Sequence, residues 1–557
     1  MTMTIRQTIT EVVEHNQHRI FLVDAVSGRE LTYGEFHIQA CALAAELHRR
    51  GLQKGARVGV IIPNCSELAV LYFACMYLGA VIVPINPTLS KSEVQFILES
   101  CKPSFVMATE VIAKSLKQLH ENICVLATAG DAIGAATDPN KIVIDHLQPA
   151  PPFVSLQTAE ADHPADLMAD LLADLLTDDL LVIMYTSGTS AKPKGLAHKI
   201  GSMFRNAAAF ACAQNIDQNS RFYLTLSMAY MGGFYNLLVL PFLCGASVVV
   251  DHVFDARASL HFWEKAKKHQ INTLWMAPTV LSILLRMDRG RTGEQFCRAS
   301  VRHAFVGFAP LPLKVKDEFE LRYGVQLIEN YGLSETLFVT ARSHAGHGNS
   351  GYVGEPLPGV AIRIVTDAQD CAGVDQADVD REGEVQILTP DLMAGYLNAA
   401  GELLEVQPSN WFPTGDIGRL DAQGSLSITG RKKDIIIRGG INISPAAIED
   451  SLLQVRGVSE VAVVSIPHEL YGEDIVAVLK LELGLDLDSL LPALAGHAKE
   501  NLAAHQQPAR YIAIDELPRT ASGKVQKARL RELVAEKFQL SSSLRKPEPE
   551  RAIAACS

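Results

Sequence analysis

The sequence predicts an α/β protein: a large N-terminal part in which helices cover mostly parallel strands, then a smaller α+β part. Three observations predict it. Short apolar runs alternate with segments of helical spacing over most of the chain. After about Gly430 the rhythm changes to closely spaced short strands and helices. And 557 residues, 48% of them hydrophobic and 20% charged, can fill several cores, so at least two domains are expected.

The elements follow in order. From Tyr33 onward Phe36, Ala40, Leu43 and Leu47 recur at helical spacing, Gly51 offers a stop, and RVGVIIP reads as the next buried strand. Residues 68–85 are apolar for long enough to suggest a membrane span, but Gly79 divides them into a helix-like half, LAVLYFACMYL, and a β-like half, AVIVP. Residues 237–250 are too short for a span and are broken by Pro241, Gly245 and Ser247, so both stretches read as buried helix-to-strand units. ASVVVDHVF, INTLWMAP and VRHAFVGFA continue the alternation, which argues for parallel strands under helices. Residues 127–179, rich in Ala, Asp, Thr and Pro, read as a surface connection. Within it ADLMADLLADLLTDD has the beat of an acidic amphipathic helix with a solvated face. Past Gly430, EVAVVSIPH, IVAVLKLEL, LDSLLPALAGHAKENL and YIAIDELP form the α+β pattern, and the residues from Ser541 read as a tail. The expected divisions are 1–430, 431–540 and 541–557.

Charge and cysteine usage narrow the function classes. A net charge of −12 offers no broad basic surface, so nucleic acid is not an expected partner, although a local cationic site for phosphates is compatible with it. The start MTMTIRQTIT lacks the layout of a secretory signal, and ten cysteines without a CxxC pair read as reduced, buried small residues. The expectation is a cytoplasmic protein without a transmembrane segment.

The most chemical local signal is the run from Tyr185 to Gly195, YTSGTSAKPKG, directly after the apolar LLVIM. The hydroxyls and glycine of Thr186, Ser187, Gly188, Thr189 and Ser190 leave backbone N–H groups free to surround a phosphate, and Lys192 and Lys194 add positive charge. A Walker A loop is excluded, since Lys194 is followed by Gly195 and Leu196. Taken alone, such a run also fits an ordinary loop.

Four further motifs follow in order: NYGLSET over 330–336, WFPTGD over 411–416, GRKKD over 430–434 leading into IIIRGGINISP, and PRTASGK over 518–524. Together with the first they resemble the adenylate-forming superfamily of acyl-CoA synthetases, luciferases and nonribosomal-peptide adenylation domains, most of all the acyl-CoA synthetases. The resemblance runs from about Leu31 to Leu530. It implies a large N-terminal domain of stacked α/β subdomains with a smaller, mobile α+β C-terminal domain. It also implies an AMP-forming acid–thiol ligase using ATP, Mg²⁺ and coenzyme A on a small carboxylic acid.

The resemblance assigns roles residue by residue. Tyr331 would stack on adenine, in a motif that also holds Ser334, and Glu335 would hold Mg²⁺ as a hard oxygen ligand. Asp416 and Arg431 would hold the ribose hydroxyls. Lys524 would bridge the entering carboxylate and the α-phosphate, and Lys433 would be the hinge of the smaller domain. Gly439 and Gly440 would let a pantetheine arm pass close to the backbone. Each of these residues also has a plain alternative, as a core tyrosine, a surface charge or a turn.

Three departures bear on the substrate. Ser190-Ala191 stands where the phosphate loop usually reads Thr-Gly, Met228-Ala229-Tyr230 stands near where many acyl-CoA synthetases carry a histidine, and Phe308 replaces a usual small residue. The expected pocket wall, Met228, Tyr230, Met231, Gly233, Phe234, Val306, Gly307, Phe308 and Leu333, carries no carboxylate to pair with an amino group, which disfavours α-amino acids. Phe308 would limit the depth of the acyl tunnel, favouring a medium-chain or aromatic acid, or else pack beneath the adenine. Two other functions share these motifs: an acyl- or aryl-AMP ligase loading a separate carrier protein, and a non-catalytic nucleotide-binding relative.

Overall fold

The alternation of strands and helices closes into two largely parallel sheets. In the computed structural model, residues 4–128, 140–147, 175–186, 193–342, 351–366, 381–439, 441–468, 470–520 and 524–543 are described. The first sheet has nine strands, in the order Leu403–Glu405, Gly395–Leu397, Lys194–Lys199, Leu180–Thr186, Val81–Pro84, Arg57–Ile61, Phe105–Ala108, Ile123–Leu126 and Lys141–Ile142. Its strands are parallel from Leu180–Thr186 outward to Lys141–Ile142. They turn antiparallel at the other end, where Lys194–Lys199 pairs Gly395–Leu397. The second sheet has seven strands, with Ser247–Val250, Arg221–Leu224, Thr273–Met276, His303–Val306 and Leu327–Glu329 in parallel array and the hairpin Ile20–Asp24 with Glu30–Thr32 at its edge.

Local chemistry explains the helices that cover these sheets. Thr32 and Glu35 form a reciprocal capping box that starts the helix Tyr33–Arg49, and its face of Phe36, Ala40, Leu43 and Leu47 is buried. The apolar stretch 68–85 becomes the helix Ser66–Tyr77 and the strand Val81–Pro84. All of that helix except Glu67 is buried, in one cluster with residues of both sheets, so its all-round apolarity reflects burial in protein. Among the described residues no helix is long and apolar enough to cross a membrane. The second apolar stretch becomes the π-helical segment Gly232–Val239, the short helix Leu240–Leu243 and the strand Ser247–Val250. Of the acidic helix read within 127–179, residues 165–174 lie outside the described residues, and 175–179 are described without helix.

A six-stranded sheet, ordered Thr340–Ala341, Tyr352–Pro356, Leu426–Arg431, Phe412–Leu420, Gly383–Leu388 and Ala361–Val365, contains the division of the chain. One compact unit comprises Met1–Thr414 and Gly418–Ile428, the other Gly415–Ile417 and Thr429–Ser557. The division therefore falls inside two strands, two residues before the 430/431 boundary read from the sequence. In the second unit Ile441–Ile443, Ile436–Arg438, Gly472–Leu481 and Val458–His468 form an antiparallel sheet, with Arg510–Ala513 added in parallel. Apolar clusters around Ile448, Val463 and Leu494 and around Val464, Leu530 and Val534 form its core. The helix Lys527–Ser543 runs through 541–543, where the sequence reading began a tail.

Candidate active site

The second motif forms a tight hairpin. Gly332–Leu333 pairs antiparallel with Leu337–Phe338, and a Cβ on Gly332 would stand 2.1 Å from the Leu337 carbonyl oxygen, so only glycine fits there. Leu337 itself takes φ +58°, a left-handed conformation that costs a branched residue energy. The hairpin is anchored from below: Asn206 accepts from the Phe338 N–H at 3.0 Å and donates to the Phe338 carbonyl at 2.9 Å, and fully buried Thr336 accepts from the Leu333 N–H.

At the tip stands Glu335. Its Oε1 accepts from the Tyr396 hydroxyl at 2.9 Å, and its backbone carbonyl accepts from the Met393 N–H at 2.8 Å. Burial, and then the Glu335 charge, pushes the Tyr396 phenol well above its ordinary range, so it remains a donor. Lys194 Nζ lies 5.8 Å from the Tyr396 ring centroid, which brings the last lysine of the first motif to the same place. His198 Nε2 donates to the Ser334 carbonyl at 2.6 Å, and burial holds this imidazole down at about 4, hence neutral. Tyr396 and His198 meet the hairpin because their strands pair, Tyr396 opposite Leu196 and Gly395 opposite Ala197.

Glu335 is the one acidic residue that this cluster offers. Among the described residues no group of three or more His, Cys, Asp or Glu side chains could hold a metal ion unaided. A single oriented carboxylate suits Mg²⁺, which typically binds through one or two carboxylates plus substrate phosphates. Of the phosphate loop, 187–192 lies outside the described residues, including Ser187, Gly188, Thr189, Ser190 and Ala191. Thr186 is described as the strand residue paired with Lys194.

Tyr331 is half-buried against the cluster of Val339, Val353, Ile364, Val385, Ile387 and Leu426, with Leu333 beside it. Two residues earlier in the chain, Glu329 lies buried with Lys316 at 2.8 Å and Arg342 at 3.8 Å. Burial pushes the Glu329 carboxyl above the ordinary range against the pull of both cations.

The expected pocket wall divides. Met228 and Phe234 are wholly buried and Val306 is 1% exposed. Met228 is held by the Asn64 side chain on its N–H and by the Tyr72 hydroxyl on its carbonyl, and Phe234 packs edge-on against Tyr72 at 5.1 Å. These three pack in the core, whereas the sequence reading placed them on the pocket wall. Gly307 is also buried, 3.3 Å from Asn330 if it carried a Cβ, and Gly233 approaches the Ser227 carbonyl too closely for any side chain. Tyr230, Met231, Phe308 and Leu333 remain partly exposed. Phe308 has φ +74°, which explains why a small residue suits that position, and its ring lies against Gly232, where a Cβ would meet Cε1 at 2.8 Å.

In the second unit Asp416 is buried, 2.9 Å from Arg431 Nε, so the two residues expected at the ribose already form a pair. Lys433 lies on the exposed turn Lys432–Asp434. It falls below the ordinary lysine range through partial burial of the ammonium, with Asp434 opposing and Arg431 and Arg531 adding. Lys524 is exposed; its N–H donates to Thr520 Oγ1 at 3.1 Å and its carbonyl accepts from the Thr520 N–H at 2.8 Å. Gly439 has φ +59° and faces the Tyr471 ring, while Gly440 lies outside the described residues. Sequence reasoning missed Tyr396 and His198. The spacing of Tyr396 in GYLNAAGE and of His198 three residues after Gly195 carried no signal by themselves, because strand pairing brings them to Glu335.

Comparison with known proteins identifies the family. The chain matches the family model for AMP-binding enzymes over residues 9–397 and that for the AMP-binding enzyme C-terminal domain over 447–524. It is 30% identical over 519 residues to the sulfoacetate–CoA ligase of Cupriavidus necator, covering 92% of this chain and 94% of that one. It is also 30% identical over 521 residues to the indoleacetate–CoA ligase of Aromatoleum aromaticum, with 91% and 94% covered. The o-succinylbenzoate coenzyme A synthetase of Bacillus subtilis, solved with ATP and a magnesium ion, superposes with a TM-score of 0.73 at 25% identity over 94% of this chain and 98% of that one. The hairpin carrying Glu335, the strand pair that holds it and the second α+β unit thus belong to a chain of the AMP-binding enzyme family, an adenylate-forming acid–thiol ligase of the acyl-CoA synthetase kind.

Proposed function

We propose that the protein joins a medium-chain or aromatic carboxylic acid to coenzyme A in two steps, with ATP as the energy source. In the first, a carboxylate oxygen attacks the α-phosphorus, the bond to the bridging oxygen breaks, and pyrophosphate leaves with that electron pair. In the second, the coenzyme A sulfur, its proton lost to solvent, attacks the acyl carbon, and AMP departs. Magnesium bound with the triphosphate would offset its charge. Glu335 holds that charge in register, Lys194 adds a cation beside it, and Tyr331 provides the aromatic face for adenine.

In the second unit, Asp416 and Arg431 take the ribose hydroxyls, and Lys524 meets the negative charge growing on the α-phosphate. Lys433 serves as the hinge at which that unit turns between the two steps, and Gly440 borders the path of the pantetheine arm. The observation that supports the activity most is the Glu335 carboxylate, held by Tyr396 next to Lys194. The observation behind the acid class is the Phe308 ring, seated against Gly232 and packed with Met231 on one apolar cluster, both side chains partly exposed.

Pyrophosphate release over a panel of medium-chain, long-chain, aromatic and sulfonated acids tests both points, first without thiol and then with coenzyme A. The reading expects release with medium-chain or aromatic acids and thioester only when coenzyme A is added. A preference for long-chain or sulfonated acids would overturn the acid class, and ATP binding without release for any acid would overturn the activity.

A further inference from the structure

The Glu335 tip is held in three places, and two of the holding groups are side chains that serve no other visible purpose. His198 is wholly buried on the strand Lys194–Lys199, and its Nε2 lies 2.6 Å from the Ser334 carbonyl. A carbonyl oxygen can only accept, so Nε2 carries the proton and Nδ1 is left as an acceptor. Among the described residues that buried Nδ1 has no hydrogen-bond partner. Burying an imidazole with one nitrogen unsatisfied is costly, and an aliphatic side chain would fill the same space without that cost. The bond to Ser334 is what the histidine gains there.

Tyr396 comes from the neighbouring strand and donates to Glu335 Oε1 at 2.9 Å, which leaves Oε2 as the oxygen that can turn to a ligand. The third hold, Met393 N–H to the Glu335 carbonyl at 2.8 Å, belongs to the same chain segment as Tyr396. Strand pairing of Tyr396 with Leu196 sets Tyr396 on the same face of the sheet as His198, so the Ser334 carbonyl and the Glu335 carboxylate are held together.

We propose that His198 and Tyr396 are positioning residues that fix the Glu335 carboxylate for a divalent cation carried by the nucleotide triphosphate. This rests on the reading of Glu335 as the residue that meets the metal. Neither side chain touches the reacting atoms. Their contribution is to keep a long, otherwise rotatable glutamate in one conformation, as hydrogen-bonded supports of a ligating carboxylate do.

The test measures cation binding directly, without turnover. Mn²⁺ is titrated into the full-length protein with a non-hydrolysable α,β-methylene ATP, and free Mn²⁺ is read by electron paramagnetic resonance. Glu335→Gln, Tyr396→Phe, His198→Leu and His198→Gln are compared with the wild type, with unfolding midpoints measured alongside. Tyr396→Phe and His198→Leu are expected to weaken Mn²⁺ binding by about 10-fold. His198→Gln, which can still donate to Ser334, should recover part of the loss. If Glu335→Gln weakens binding but Tyr396→Phe and His198→Leu bind as tightly as wild type or more tightly, the positioning inference is overturned and the metal reading stands. If Glu335→Gln has no effect, the metal reading fails and the inference with it. Should His198→Leu not fold, Tyr396→Phe, which removes a single hydroxyl, decides the matter.

Discussion

Glu335 and Lys524 carry the two charges on which the proposed chemistry depends, and the chain holds them in opposite ways. Glu335 sits on a hairpin fastened by Asn206, His198, Tyr396 and Met393, and the strand that leads into it ends at Glu329, buried in an ion pair with Lys316. Lys524 sits on an exposed turn closed by Thr520. The difference teaches where each residue's effect should appear. Changes around the first should be felt in stability as well as chemistry, because buried polar groups lose their partners. Changes at the second should be felt in chemistry alone.

The largest expected effect tests the exposed side of this contrast. Lys524→Ala should lower adenylate formation by about 1,000-fold, the scale of a lost charge-stabilising donor. Unfolding free energy should stay within about 0.5 kcal/mol of wild type. Transfer from preformed acyl adenylate to coenzyme A should remain largely intact, and equal loss in both half-reactions would contradict the proposed turning of the second unit at Lys433. Rapid-quench assays of each half separate these outcomes.

The mirror experiment is Lys316→Ala. It leaves Glu329 buried with Arg342 at 3.8 Å, and should cost about 3 kcal/mol in urea unfolding. A loss below about 0.5 kcal/mol would show that the hairpin does not depend on its buried root.

Acid should also act on the first unit. His37 is buried against the Tyr77 hydroxyl at 3.0 Å, and burial lowers its imidazole to about 4. The unfolded chain takes up that proton below about pH 6.5, whereas the folded chain does so only near pH 4. Stability is therefore fully present above pH 6.5 and is lost as pH falls towards 4, by on the order of 3 kcal/mol. His37→Leu should flatten that part of the curve of unfolding free energy against pH.

The smallest effect concerns Phe308 at φ +74°. Phe308→Gly and Phe308→Ala both lose the ring, but glycine alone is relaxed at that dihedral. The glycine variant should therefore be the more stable of the two by about 1 kcal/mol, the reverse of the usual order. Chain-length profiles of the same two variants also bear on the proposed acid class, since an unchanged profile would remove Phe308 from the acyl site.

Much of the fold was legible because it is written in local periodicity and punctuation. Gly79 correctly parted helix from strand in 68–85, and the apolar runs at 247–250, 273–276 and 303–306 are adjacent or near-adjacent parallel strands of one sheet. The π-helical turn at Gly232–Val239 was not legible, since an apolar run reads alike for a buried α-helix and a π-helix. Nor was the burial of Met228, Phe234 and Val306 legible, because an apolar residue in a pocket wall and one in the core behind it have the same composition.

By itself the sequence determined the order of the motifs and the α/β and α+β characters of the two units, and it offered Glu335, Asp416, Arg431 and Lys524 as candidates for the proposed chemistry. Tertiary structure alone decided which groups surround them. Tyr396, 61 positions from Glu335, and His198, 136 positions from Ser334, reach the hairpin because two antiparallel strands pair at the edge of a parallel sheet. Such register is a property of two distant segments taken together, and no window of either one contains it.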